Sequence, residues 1–248
     1  MPNLSPLSDD PGLILRDASF ALSGRVILSG LDLHLTERRI GIIGRNGSGK
    51  TTFLRLLAGL IAPSTGSVTV GGVDPAKDRK AMLGLLGILF QNPDHQIIFP
   101  TVGEELAFGL RQQGLDKAAA LAKTRALLHA HGRAHWEAEP VTALSQGQRH
   151  FLCLLSVLAM GPRTILLDEP FAGLDLPTQA RLTRSLADLP QRLITITHDP
   201  AALQGYDRVI WLEAGRLRAD GRVDAVVPAF TAEMARLGEA DADTDLAL

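Results

Sequence analysis

A glycine-rich segment near the start of the chain carries the clearest chemical pattern. Eight consecutive residues fit the pattern G-x-x-x-x-G-K-[ST] and are followed by Thr52: Gly44, Arg45, Asn46, Gly47, Ser48, Gly49, Lys50 and Thr51. In this pattern backbone N–H groups surround phosphate groups, the lysine contacts the β- and γ-phosphates, and the last hydroxyl binds magnesium. The segment predicts a site for a nucleoside triphosphate with Mg2+. The simpler alternative is a glycine-rich turn.

Two adjacent carboxylates form a second candidate site. The apolar run of residues 164–167 ends in Asp168 and Glu169. A carboxylate at the carboxyl edge of a parallel sheet lies where ligands bind in such folds. We expect Asp168 to hold magnesium through water and Glu169 to polarise the water that attacks a phosphate. A solvated acidic turn is the alternative.

A third motif comes just before the longest apolar run of the chain, residues 151–161. After Leu144 it consists of Ser145, Gln146, Gly147 and Gln148. Serine is a favoured N-cap, and the amides at a helix start can face an anion. Taken alone, these residues also fit an ordinary helix start with no ligand.

The elements around these motifs predict an α/β fold. Apolar residues at 39–43 predict a strand that runs into the glycine loop, and residues 52–59 predict a helix that ends on glycine. Strands are also predicted at 13–20, 26–35, 68–70, 85–90, 164–167, 193–197 and 208–212. Several of these runs are almost continuously apolar, which is typical of strands buried on both faces of a parallel sheet.

Two regions differ in composition from the predicted sheet. Residues 100–135 are rich in Ala, Leu, Lys and Gln, which favours an inserted helical subdomain. Residues 238–245 are acidic and small, and we expect a loose tail there.

Charge and composition limit the possible functions. The chain has 25 basic and 27 acidic residues, and this balance gives no electrostatic reason to expect nucleic-acid binding. Its single cysteine, Cys153, lies in an apolar run and predicts a small buried hydrophobe. No apolar stretch approaches the roughly 20 residues that cross a bilayer, and the polar first ten residues do not resemble a secretory signal. We therefore expect a cytoplasmic chain that reaches a membrane only through partners.

In this order, the three motifs resemble those of the ATP-binding subunits of ABC transporters, over nearly the whole chain. The resemblance implies a P-loop NTPase core with a mainly parallel sheet, N-terminal antiparallel strands and an inserted helical signature subdomain. It implies one nucleotide-binding domain over residues 13–223, with the core at about 13–92 and 162–223 and the helical subdomain at about 93–161. Residues 224–248 would form a C-terminal segment with an acidic tail.

The same resemblance assigns roles to single residues. Gln91 fits the glutamine that senses magnesium and water, His198 the histidine that contacts the γ-phosphate, and Asp175 the D-loop, which crosses between two subunits. In the family, the signature at Ser145–Gln148 contacts the ATP that the opposite subunit binds. The implied assembly is therefore a pair of ATPases, either identical or paralogous. As isolated residues, Gln91 and His198 would also fit a strand end and a turn.

Residues 91–102 and 104–109 are similar to the segment that follows this glutamine in ATPases of energy-coupling factor (ECF) transporters. Those transporters import vitamins or cobalt and nickel ions, and this region receives a transmembrane coupling subunit. Residues 170–178 look most like the biotin type, with cobalt or nickel import as the alternative. The implied partners are the coupling subunit and a substrate-binding membrane subunit, at the cytoplasmic face of the membrane.

Two other classes explain fewer of the residues. A soluble ABC ATPase that works on DNA or ribosomes would bring a coiled-coil insertion or a second domain, and the sequence contains neither. A small-molecule kinase would leave the signature and His198 unexplained.

Three positions depart from the commonest family pattern. Leu22 stands where an aromatic side chain usually stacks on adenine, Gln146 replaces a signature glycine, and Phe151 replaces an arginine. We expect these changes to alter affinity without removing the activity.

Overall fold

The computed structural model describes the backbone of residues 10–245 and the side chains of residues 10–239. The polar residues 1–9, on which the absence of a signal was argued, lie outside this range. Nine strands are present in the described part: β1 Leu13–Leu22, β2 Arg25–Leu35, β3 Arg39–Ile43, β4 Thr65–Val70, β5 Leu86–Leu89, β6 Thr164–Asp168, β7 Arg192–Ile196, β8 Arg208–Glu213 and β9 Arg216–Gly221.

Six of these strands form one sheet in the order β5-β6-β7-β3-β8-β9. All neighbours up to β8 are parallel, and only β9 is antiparallel. Strands β6 and β7 are buried on both faces, as their almost continuous apolar sequences predict. Because β5, β6, β7 and β3 are parallel, the segments that follow them all emerge at one edge.

The other three strands form a separate antiparallel sheet in the order β2-β1-β4. Its inward side chains, such as Leu15, Leu31 and Val68, pack with Phe53 and Leu56 of the first helix and with Ile42 of β3 in one core cluster. The predicted N-terminal antiparallel strands are therefore confirmed, and they cover the helix that follows the glycine loop.

The helices are α1 Lys50–Leu57, α2 Arg79–Leu85, α3 Val102–Gln112, α4 Lys117–Ala130, α5 Gln146–Met160, α6 Leu176–Ala187 and α7 Val223–Asp245. Side chains of Thr101, Asp116 and Ser145 accept hydrogen bonds from backbone amides at the starts of α3, α4 and α5. Such caps satisfy amides that have no partner inside the helix. These three helices form the predicted insertion between β5 and β6, and they pack on one another.

The C-terminal part of the chain differs from the prediction in two ways. Strand β9 was not predicted, because it is short, charged and mostly exposed at the edge of the sheet, so no apolar run marks it. The prediction of a loose tail over 238–245 is wrong, because α7 continues through Asp245. The helix is anchored upstream by Val226 and Phe230, both buried, and it continues through Gly238 and three aspartates that are poor helix formers on their own.

The described helices include none that is both long enough and apolar enough to cross a bilayer. Cys153 is 1% exposed inside α5, which confirms the prediction of a buried hydrophobe. Burial raises the pKa of its thiol to about 12.

A buried ion pair holds the start of the described chain against the main sheet. The Arg192 side chain on β7 is fully buried and lies 2.7 Å from the Asp10 carboxylate, which is also buried. The same guanidinium donates to the carbonyl oxygens of Glu37 and Thr36 and to the hydroxyl of Thr164. Asp10 also accepts a hydrogen bond from the backbone N–H of Gly12. The pair therefore joins the main sheet to the chain entering β1.

We predict that Asp10→Asn lowers the free energy of unfolding by about 3 kcal/mol, near the lower end of the cost of breaking a buried pair, because three other acceptors remain. Urea denaturation without nucleotide measures the change. Asp74→Asn is the matched control, because it removes an exposed ion pair with Lys77 and should alter stability little. An equal loss of unfolding free energy in the two variants would show that the buried pair stabilises the fold no more than the exposed pair does.

Candidate functional site

The glycine loop joins the carboxyl end of β3 to the start of α1. Gly49 precedes the helix in the left-handed conformation, with φ 101°, and no side chain caps the helix. The first amides of α1 are thus left for a ligand, and the helix dipole favours an anion there. The buried Lys50 ammonium donates to the carbonyl oxygens of Gly44 at 2.7 Å and Arg45 at 3.0 Å. These contacts curl the loop around its own lysine.

Glycine is required in this loop at two positions for steric reasons. A Cβ on Gly44 would collide with the carbonyl oxygen of Leu212 and the hydroxyl of Ser48, and a Cβ on Gly49 would lie 2.7 Å from Leu28. Gly47 has open space around it, although its φ of 78° also favours glycine. The Ser48 hydroxyl is buried and has no hydrogen-bond partner among the described residues. A buried polar atom of this kind calls for a partner that a bound ligand can supply.

Burial lowers the pKa of Lys50, while the neighbouring Glu169 and Asp168 carboxylates act in the opposite direction. The two carboxylates at the end of β6 lie at the same edge of the sheet as the glycine loop. The sequence placed them about 120 residues apart, and the sheet brings them together, since β6 and β3 flank β7.

Four adjacent strands deliver the remaining predicted residues to the same edge. Gln91 follows β5, Asp168 and Glu169 end β6, and His198 follows β7, beside the glycine loop after β3. Asp168 is paired in register with Ile196, two residues before His198. The catalytic, metal and nucleotide-binding predictions therefore fall on one continuous edge of the sheet.

Glu169 and His198 are in direct contact. The Glu169 Oε1 atom lies 2.9 Å from His198 Nδ1, with the carboxylate mostly buried and the imidazole 66% exposed. Glu169 has a left-handed backbone, φ 48°, and its N–H donates to the carbonyl of Ile196. A non-glycine residue in this region is uncommon and is found at sites where side-chain direction matters. The turn points the Glu169 carboxylate towards the end of β7.

The oxygen groups at this edge fit a magnesium ion. Burial raises the pKa of Asp168, the nearby Glu169 raises it further, and Arg55 and Lys50 act in the opposite direction. A bound cation would stabilise the charged form of Asp168, which burial disfavours. Thr51, Gln91 and Asp168 offer hydroxyl, amide and carboxylate oxygens, which is the hard donor set that Mg2+ prefers.

The signature residues form a well-made helix start. The Ser145 hydroxyl accepts from the N–H of Gln148 at 3.3 Å, and the Gln148 side chain accepts from the N–H of Ser145 at 2.7 Å. This reciprocal pair confirms Ser145 as an N-cap. Gln146 lines a surface cleft together with Gln91 and Gly173. Within the described residues, no hydrogen bond or salt bridge joins the signature to residues 44–52.

Asp175 occupies the N-cap of α6. Its carboxylate accepts from the N–H of Thr178 at 2.8 Å, and hydrogen bonding from Thr178 lowers the pKa of Asp175. Gly147 lies against this turn, since a Cβ on it would approach the Thr178 methyl to 2.8 Å. The structure therefore brings the signature and the D-loop together on one surface.

Helix α7 contributes residues that the sequence analysis missed. Phe230 and Met234 line a cavity of about 450 Å³ with Arg45, His198 and Pro200. A signal was present, because Val223, Val226, Val227, Phe230 and Met234 follow helical spacing and pack in one cluster.

Comparisons with known proteins agree with this geometry. The sequence model of the family described as ABC transporter matches residues 28–172. The biotin transport ATP-binding protein BioM of Rhodobacter capsulatus is 54% identical over 219 residues, which cover 88% of this chain and 94% of that relative. BioM of Rhizobium etli is 44% identical over 203 residues, covering 82% and 90%. The structure of cbiO1 from Clostridium perfringens, described as part of the ABC transporter complex cbiONQ, aligns with a TM-score of 0.73 at 25% identity, covering 93% of this chain and 98% of that one.

We predict that Gly44→Ala destabilises the fold by about 1–3 kcal/mol more than Gly72→Ala, the range typical of overpacking. Both glycines have positive φ, but a Cβ on Gly72 meets nothing within 4 Å, whereas a Cβ on Gly44 meets backbone. Urea denaturation without nucleotide measures the difference. Equal stabilities would show that the loop relaxes around the added methyl group.

We predict that Asp168→Asn raises the melting temperature of the nucleotide-free protein at neutral pH. The folded-state pKa of Asp168 is raised, so its ionisation costs stability as the pH rises through that pKa, and asparagine removes the cost. The difference should disappear at a pH below the ordinary aspartate pKa, where both forms are neutral. Thermal melts against pH measure it, with the exposed Glu139→Gln as control. A melting temperature that is lowered at neutral pH would contradict the charge argument.

Proposed function

Because the chain belongs to the ABC transporter family, we propose that it hydrolyses ATP to power import of biotin through an ECF-type transporter. The observation that carries the ATPase assignment is the single sheet edge where Lys50, Asp168, Glu169 and His198 meet. The similarity to BioM over nearly its full length supports biotin as the solute. The likeness to cbiO1 supports the ECF type of assembly.

In the proposed mechanism, residues 44–52 hold the phosphates. The free amides at the start of α1 bind phosphate oxygens, and the Lys50 ammonium turns from its two loop carbonyls towards the β- and γ-phosphates. The buried Ser48 hydroxyl gains the partner that it lacks. Binding therefore replaces contacts within the loop by contacts with the nucleotide.

Glu169 and His198 act on the attacking water and the γ-phosphate. Glu169 Oε1 is engaged by His198 Nδ1, and the second carboxylate oxygen has no partner within the described residues, so it can accept a proton from the water. His198, at the exposed end of this pair, contacts the γ-phosphate. The reaction is in-line attack of water on the γ-phosphoryl group, and positioning with charge stabilisation carries most of the catalysis.

Thr51, Gln91 and Asp168 would hold Mg2+, which when bound neutralises charge on the β- and γ-phosphates. Lys50 and the helix start orient the same phosphates from the other side. Placing Asp168 beside Glu169 keeps the metal-holding carboxylate and the water-orienting carboxylate on one turn.

Two copies, or this chain and a paralogue, complete the site. We propose that the surface formed by Ser145–Gln148 faces the ATP held by the partner's glycine loop, and that Asp175 lies across the same interface. The capped starts of α5 at Ser145 and of α6 at Asp175 support these two roles. ATP then closes the pair because it contacts both halves, and loss of the γ-phosphate reopens it.

Motion reaches the membrane through residues 91–109 in this proposal. This segment contains the exposed Ile98, and it connects Gln91 directly to α3. A transmembrane coupling subunit and a substrate-binding membrane subunit are the partners, and the chain lies at the cytoplasmic face of the membrane. Most of this segment belongs to the proposed helical subdomain, residues 93–161. No role in nucleic-acid binding is proposed.

Cobalt or nickel import through the same ECF-type assembly is the second candidate, and the likeness to cbiO1 supports that assembly for either solute. Identity to cbiO1 is 25%, compared with 54% to the R. capsulatus BioM. We therefore place biotin first.

We predict that affinity purification of this chain from detergent-solubilised native membranes recovers two membrane proteins together with biotin, identified by mass spectrometry. The Lys50→Ala variant is the matched control, because it should keep these partners while losing ATP turnover. Cobalt or nickel in place of biotin would keep the architecture and change the solute. Recovery of the chain without membrane partners would overturn the transport assignment.

A further inference from the structure

Leu176 is an unusually exposed apolar side chain. It is 78% exposed, more than any other large hydrophobic residue in the described part of the chain. As the first residue of α6 it is held in place by the Asp175 cap and by Pro177 at the next position. A leucine fixed in water by a rigid helix start retains free energy that burial in a contact would release.

A cavity of matching character lies beside the glycine loop. Its apolar wall consists of Phe230 and Met234 of α7 with Pro200, and Arg45 lies at its rim. Phe230 is fixed by edge-to-face packing on Trp211, with ring centroids 5.3 Å apart. The wall is therefore preformed and large enough for a leucine side chain.

The charges beside these two features are opposite. The Asp175 carboxylate next to Leu176 is exposed, and hydrogen bonding from Thr178 keeps it ionised by lowering its pKa. Arg45 at the rim of the cavity is also exposed, and it has no acidic partner within 4 Å among the described residues. One surface therefore presents an apolar side chain beside a negative charge, and the other presents an apolar cavity beside a positive charge.

The position of α6 shows where Leu176 would meet a second copy. The D-loop and the start of α6 pack on the signature, through Gly147 against Thr178 and Gly173 against Gln146. If the signature faces the partner's nucleotide, the adjoining D-loop faces the edge of the partner's glycine loop. The cavity opens at that edge.

We propose that, in the ATP-closed pair, Leu176 of one copy inserts into the cavity formed by α7, Pro200 and the glycine loop of the second copy, with Asp175 against Arg45. This inference rests on the proposed function, because it assumes a signature that acts between subunits. It gives α7 a role in the interface, and two equivalent contacts form in each pair. Helix α7 would thereby help to set how firmly ATP holds the two copies together.

Cysteine cross-linking tests this contact. In the Glu169→Gln background, which should bind ATP and hydrolyse it slowly, Leu176→Cys with Met234→Cys is oxidised by copper–phenanthroline with or without MgATP. A covalent dimer is expected only with MgATP, at a yield at least tenfold above Leu60→Cys with Met234→Cys and above each single variant. Leu60 is also exposed, and Cys153 is buried with its pKa raised to about 12, so it should stay unreactive.

A second measurement does not depend on cysteine chemistry. Leu176→Ser in the Glu169→Gln background should raise the dissociation constant of the ATP-bound dimer at least tenfold by analytical ultracentrifugation, while Leu60→Ser should leave it unchanged. A parent protein that stays monomeric with MgATP would overturn the pairing of two copies of this chain, and the proposed function would then require a paralogue as partner. A dimeric parent with neither the cross-link nor the weakening would overturn only the contact with α7.

Discussion

The parallel pairing of β3 with β7 and β8 is the constraint on which the site depends. Parallel hydrogen bonding makes the carboxyl ends of neighbouring strands coincide at one edge. Ile42 is in register with Ile196 on one side and with Ile210 on the other, so the glycine loop begins level with the residues that lead to His198. A shift of one residue in this pairing would turn the buried isoleucines to the opposite face and separate Lys50 from Glu169. The apolar packing of β3 thus fixes the chemistry that follows it.

The site keeps several arrangements that cost the folded chain free energy. The Lys50 ammonium is buried, Asp168 is held where ionisation is disfavoured, and Ser48 has a buried hydroxyl with no partner within the described residues. A bound nucleotide with its metal ion would offset all three costs, because it supplies an anion for Lys50, a cation for Asp168 and a hydrogen-bond partner for Ser48. The core around Phe53 and the buried Arg192 network supply stability from outside the site. Separating the sources of stability from the groups that bind nucleotide keeps those groups responsive to it.

Much of the fold was predictable from the sequence because the relevant signals are local. The strand at Arg39–Ile43, the cap at Ser145 and the buried run around Cys153 each follow from a few adjacent residues. The resemblance to ABC transporters added the family, which is confirmed by the family match and by identity to BioM. The roles of all the predicted site residues, among them Glu169, Gln91 and Asp175, stay predictions.

Contacts between distant residues could not be predicted in the same way. The pairing of Arg192 with Asp10 joins residues 182 positions apart, and neither residue stands in a motif. Strand β9 is exposed at a sheet edge, so its sequence lacks the apolar period that marks a buried strand. Helix α7 had the period, but its position beside the glycine loop depends on Trp211 and β8, which only the fold brings there.

The described chain is best understood as half of a working unit. Its glycine loop offers an open anion site on one surface, and its signature presents a capped helix start on another, with no hydrogen bond between them in the described residues. A single copy therefore carries both halves of the proposed nucleotide site on separate surfaces, and it cannot bring the two halves together by itself. In the proposed pair, each half is completed by a second subunit, so ATP is part of the interface, and its affinity and the stability of the pair are linked by mass action. In the proposed cycle, hydrolysis removes the γ-phosphate and so breaks the same contact that held the subunits together. In the proposed transporter, this linkage passes the free energy of ATP to membrane partners from a chain whose described part contains no membrane-spanning helix.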